Sequence, residues 1–155
     1  MTGTDATRRQ ARVAGLLYVL AGSTAPFAYL YVPDFMLAPG NPLAIADRVR
    51  ASVGLLRAAI FGELYSATLL VFAALALWQL FKQVDRKTSA LMAVLILVSV
   101  PISYVNALIH VAPLLLLKNP AIASALGPGP LAAQVTLLLR LHNYGLIVNQ
   151  IFWGL

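Results

Sequence analysis

Four apolar runs dominate this chain, at residues 13–32, 58–81, 90–117 and 131–155. None holds more than one Asp, Glu, Lys or Arg. Each meets the length of about 20 residues that a helix needs to cross a hydrocarbon core of about 30 Å. Lipid offers the backbone no hydrogen-bond partner, so a spanning segment must be a helix or part of a closed barrel. Apolar residues here are continuous rather than alternating, which argues against barrel strands. The expected fold class is therefore all-α, a polytopic transmembrane helix bundle with at least four spans. Residues 1–155 form a single integral membrane domain, with no soluble domain and no internal repeat.

Composition agrees. Hydrophobic residues make up 61% of the chain and charged ones 10%, with mean hydropathy +0.85, whereas soluble domains carry about 25% charged residues. The net charge of +6 would suggest nucleic acid in a soluble domain. Here the basic residues punctuate the ends of apolar runs, so they set membrane orientation and no nucleic-acid partner is expected. The chain has no cysteine, which excludes disulfides, thiolate metal sites and cysteine nucleophiles.

The first run follows Arg8, Arg9 and Arg12, as in a secretory signal. Its length exceeds the 7–15 residues, roughly, of a signal core, and Gln10, Ala11 and Arg12 follow the arginine pair where an export signal wants apolar residues. It reads as an uncleaved span. "PDFMLAPGNPLAIADRVRASVG" (33–54) holds a loop and then an amphipathic helix at about 42–53, with Asn41 as N-cap and Pro42 in the first turn. That helix lies at the interface or packs on the bundle. "KQVDRKTS" (82–89) is a charged turn, and "KNPAIASALGPGP" (118–130) is a loop without periodicity. Six basic residues (Arg8, Arg9, Arg12, Lys82, Arg86, Lys87) lie on one side and four (Arg48, Arg50, Arg57, Lys118) on the other. This places the N-terminus in the cytoplasm and the protein in the cytoplasmic (inner) membrane. The last run stops at "IFWGL" without a flanking charge, so the chain reads as C-terminally truncated.

An ionisable group at mid-span costs about 2.5–3.5 kcal/mol and normally faces a partner inside the bundle. Glu63, His110, Arg140 and His142 are the groups in question. Counted from the end of each span, Glu63 lies roughly 8 Å deep, His110 roughly 10 Å, and Arg140 and His142 roughly 14–17 Å, all in one leaflet. On the third span Ser99, Ser103, Asn106 and His110 form a polar stripe, bracketed by Pro101 and Pro113. On the fourth, Thr136, Arg140, Asn143 and Gln150 share one face, and His142 and Asn149 lie nearly opposite. The expected site is a polar cluster of Glu63, Asn106, His110, Arg140, His142 and Asn143, opening toward the outer leaflet, with Arg140 paired to Glu63. Tyr104 and Tyr144 lie deep enough to join it. No metal is expected, since the histidines show no i, i+4 pair and no HExxH. No cofactor is implied.

"RVAGLLYVL" (12–20), "ELYSATLLVFAALALWQLFKQVDRKTSALMA" (63–93) and "LHNYGLIVNQIFWGL" (141–155) resemble blocks of the domain of unknown function 4386 family. The resemblance covers essentially the whole chain and implies an uncharacterised, mostly bacterial polytopic membrane protein with further spans beyond residue 155. His142, Tyr144 and Gly145 match the family's most specific block; Arg140 is not diagnostic. No activity comes with the resemblance.

Two functional readings stand side by side. In one, the cluster binds or moves a small molecule, lipid or proton, and the expected partners are the bilayer, such a ligand and a second copy of the chain. In the other, the protein is structural and its buried polar groups only lock helices together. An intramembrane enzyme using His110 with Ser103 or Ser66 is the weakest, because no spacing singles those residues out.

Overall fold

The computed structural model describes residues 3–152. It is 90% helical, with no strand among the described residues. The elements are α1 (Gly3–Gly22), a π-helical segment (Pro26–Tyr31), α2 (Val32–Met36), α3 (Pro42–Ala51), α4 (Val53–Phe81), α5 (Arg86–Lys118), α6 (Pro120–Leu126), α7 (Pro128–Asn149) and a closing 3₁₀ turn (Gln150–Phe152). Four helical stretches are long and apolar enough to span a membrane: Thr7–Met36, Val53–Phe81, Arg86–Lys118 and Pro128–Phe152.

The first span runs longer than its apolar core. Helix continues through Pro26 and Pro33 by widening into a π-helical turn, which accommodates the missing proline amides without ending the rod. The segment 33–36, expected in a loop, is therefore helical.

The connection expected as a loop at 118–130 also contains a helix, α6. The Asn119 side chain accepts from the Ala121 and Ile122 amides, and Pro120 occupies the first turn. Gly127, at φ 76°, ends it, since a left-handed residue there favours glycine. Asn41 and Pro42 open α3 by the same chemistry, Asn41 accepting from Ala44 N at 2.9 Å. The signal was thus present twice, and the short apolar stretch in 121–126 lacked the length to show a period.

α4 packs on α1 and α5, α5 on α7, and α3 on α7. Ile45, Ala46 and Val49 of α3 are buried against Ala132, Val135 and Leu139 of α7, with Val32, Met36, Leu56 and Leu114 completing one apolar core. α3 is therefore a plug in one end of the bundle. Arg48 donates to the Met36 and Ala38 carbonyls at 3.0 Å each, closing the end of the first span. The opposite end carries the 82–85 turn, where Asp85 caps α5.

Candidate functional site

Three helices each bring one ionisable side chain to the layer just inside the plug. On α4, Leu56, Ala59 and Ile60 lead to Glu63; on α5, Leu114 follows His110 by one turn; on α7, Val135 and Leu139 precede His142. Glu63, His110 and His142 are all buried, with His142 fully so. His110 Nδ1 lies 2.8 Å from Glu63 Oε1, and His142 Nε2 lies 3.2 Å from the same oxygen. The two imidazoles stack with centroids 3.8 Å apart and planes 23° apart.

Asn106 ties this layer to α7. Its Nδ2 donates to the His142 carbonyl at 3.1 Å, and its own carbonyl lies 3.1 Å from His142 Nδ1. Gly145 permits the approach: a Cβ there would overlap the Asn106 side-chain amide. One turn further, Asn149 Nδ2 donates to Ser103 Oγ at 2.7 Å, and Ser103 donates to the Ser99 carbonyl at 3.0 Å.

Polar satisfaction is incomplete. Among the described residues Asn106 Oδ1, Asn149 Oδ1 and His142 Nε2 are buried without a hydrogen-bond partner. Such groups cost about 1–3 kcal/mol each unless something else meets them. Asn106 and Asn149 line a cavity of about 490 Å³. Its polar lining comes from Tyr29, Glu63, Ser66, Ser103, Asn106, Asn143, Asn149 and Gln150, and its apolar lining includes Leu70, Leu146 and Ile147. Tyr18, Leu30 and Ile147, which also line it, are exposed, so the cavity reaches the outer face of the bundle between α1 and α7.

Of the six residues expected to form the cluster, Glu63, Asn106, His110 and His142 meet, and Asn143 lines the adjoining cavity. Arg140 does not join them. It is exposed, with no hydrogen bond or ion pair among the described residues, and Glu63 faces the two histidines instead. The cause is rotation: two residues advance a helix by about 200°, so burying His142 turns Arg140 outward. The cavity also extends from Glu63 toward Leu70 and Ser103, away from the plug, rather than toward the α3 end as expected. Tyr144 is 66% exposed, and Tyr104 pairs with Thr68 at 3.0 Å on the outside of the bundle.

Tyr29, Ser66, Ser103 and Asn149 belong to the site although the expected cluster omitted them. The i, i+7 spacing of His142 and Asn149 carried the signal for the last. Glu63, His110 and His142 each offer a ligand atom, and these atoms lie within 4.8 Å of one another. No local spacing announces such a set, because each ligand comes from a different span. Among the described residues Ser103 is bonded to Ser99 and Asn149, and His110 Nδ1 to Glu63, rather than to each other.

Four spanning-length apolar helices, packed as a bundle around a buried polar centre, define an integral membrane protein. The family described as Domain of unknown function (DUF4386) matches residues 13–155, nearly the whole chain, and the chain belongs to it. No curated protein matches the chain. No solved structure matches it either.

Proposed function

We propose that the protein binds a small amphipathic molecule in its intramembrane cavity, the polar part against Glu63, Asn106 and Asn143 and the apolar part against Leu70, Leu146 and Ile147. The observation that carries this reading is the cavity of about 490 Å³ running from the bundle's outer face to a buried carboxylate. That volume falls within the roughly 300–1,000 Å³ range of small-molecule sites. A purely structural role for the polar residues calls for dry, fully paired groups, whereas Asn106 and Asn149, which line the cavity, each carry a buried side-chain oxygen without a partner. Helix locking is favoured by a different observation, the reciprocal Asn106–His142 bonds, and the two roles coexist on neighbouring residues.

In this reading the protein sits in the cytoplasmic membrane with its N-terminus and the 82–85 turn in the cytoplasm. Removing Arg48 from the opposite side's count strengthens that bias, since its guanidinium is taken up by backbone carbonyls. The outward Arg140 face of α7 calls for a partner surface, for which a second copy of the chain is the proposal, because a mid-span guanidinium is costly against lipid.

The cysteine-free chain suits a direct test. Single Ser66→Cys and Ser103→Cys variants in membrane vesicles are expected to react with a water-soluble methanethiosulfonate. Ser99→Cys and Val135→Cys, at positions 0% exposed and outside the cavity lining, are expected to stay protected, and Val84→Cys in the turn to react fully. Equal protection of these four positions in the bundle would leave the helix-locking role as the sole one.

A further inference from the structure

We propose that Glu63, His110 and His142 form a binding site for a divalent first-row transition ion, with zinc(II) best suited to the donors and a fourth coordination position facing the cavity. The site goes beyond the cavity reading and does not depend on an organic ligand there.

Donor geometry is the first support. Around a tetrahedral ion with N and O ligands at about 2.0–2.1 Å, neighbouring donors stand about 3.3 Å apart. Glu63 Oε1 lies 2.8 Å from His110 Nδ1 and 3.2 Å from His142 Nε2, and all three donor atoms lie within 4.8 Å of one another, so side-chain rotation brings the set around an ion. The imidazoles, stacked at 23°, swing apart to aim both lone pairs at it.

Hydrogen-bond accounting at His142 is the second and independent support. Its Nδ1 faces the Asn106 backbone carbonyl at 3.1 Å. A carbonyl only accepts, so Nδ1 carries the hydrogen. In the neutral ring Nε2 is then a lone pair. It is completely buried, has no hydrogen-bond partner, and lies 3.2 Å from a carboxylate oxygen. Two acceptors this close repel unless a cation neutralises them. An N–H donated to a backbone carbonyl is also the outer contact by which metal-bound histidines are held in one tautomer.

The chemistry of the donors selects the ion. Two imidazoles and one carboxylate suit zinc and its neighbours, whereas magnesium and calcium prefer oxygen. Three protein ligands leave a position open, and Glu63 lines the cavity, through which an ion and its fourth ligand have access. The competing cation is a proton on Nε2, which would make His142 an imidazolium.

Cobalt(II) titration of the chelator-treated protein in detergent distinguishes these. The expected result is intense visible bands of a four-coordinate ion, saturating at one per chain and bleached by zinc. They should be lost in Glu63→Gln and His142→Gln. Zinc at hundred-fold excess over Kd should raise the Tm of wild type by on the order of 5 °C and leave that of His142→Gln unmoved. If the variants do not fold, X-ray absorption of zinc-loaded wild type decides, with a shell containing imidazole nitrogens at about 2.0–2.1 Å expected. Absence of bands together with an unchanged Tm would overturn the proposal and leave the proton. So would bands that persist in His142→Gln, or an all-oxygen shell. The cysteine labelling reads water access rather than metal, so either result can fail alone.

Discussion

At the scale of single residues, Glu63 is the hinge of the site, because one oxygen serves two imidazoles from two other helices. Removing one member of a buried polar pair strands the others. Glu63→Leu is expected to cost about 3 kcal/mol in detergent, and Glu63→Leu with His110→Leu less than the sum of the two single changes. Arg140→Leu is the contrasting case, expected within about 0.5 kcal/mol of wild type in the detergent-solubilised monomer, since the side chain is exposed. Thermal or denaturant unfolding of the four variants beside wild type checks both statements, and a large loss in Arg140→Leu would contradict the site as described. That Glu63, His110 and His142 lie at one level of the bundle was legible from depth arithmetic. The partner of Glu63 was not, because depth says nothing about azimuth.

The helices show the same division at the next scale. Asp85 caps α5, its carboxylate accepting from the Thr88 hydroxyl at 2.6 Å and from the Thr88 and Lys87 amides at 3.2 and 2.9 Å. The Thr88 hydroxyl bond foremost, then the two amides, hold its pKa below the ordinary carboxylate value. A lowered folded-state pKa contributes stability above the unfolded value, near about 3.9, and that contribution is lost as pH falls through the folded value. Wild type should therefore lose Tm from this source only as the pH drops below about 4. Asp85→Asn keeps a capping side chain without the charge and should show a smaller loss over that window. Melting curves between about pH 5 and 3 test the sign. Caps like this one are local, so Asn41 was readable from the sequence. Asn119 carries the same Asn-Pro signature, but the helix it opens was too short for its periodicity to confirm.

Across the whole molecule, the bundle is apolar at the α3 end, polar at its middle layer and hollow beyond it. Close approach of α5 and α7 holds that arrangement, and Gly145 is the position where a methyl group meets the Asn106 amide. Gly145→Ala is expected to destabilise by about 1–3 kcal/mol through overpacking. It should also displace Asn106 from the His142 carbonyl, so the metal affinity proposed above should fall with stability. A Gly145→Ala protein as stable as wild type would show that the two helices have room to separate.

The number of spans, their helical nature and the presence of ionisable groups inside them follow from the sequence alone. Each is a property of consecutive residues: apolar length matched to a bilayer, and a polar group counted in from an end. What tertiary structure decided is the rotation of each helix about its axis, and with it that His142 rather than Arg140 faces Glu63. That rotation is set by side-chain packing among α4, α5 and α7. The determining contacts join residues dozens of positions apart, Glu63 to His110 and Asn106 to His142, and no pattern within one span records them.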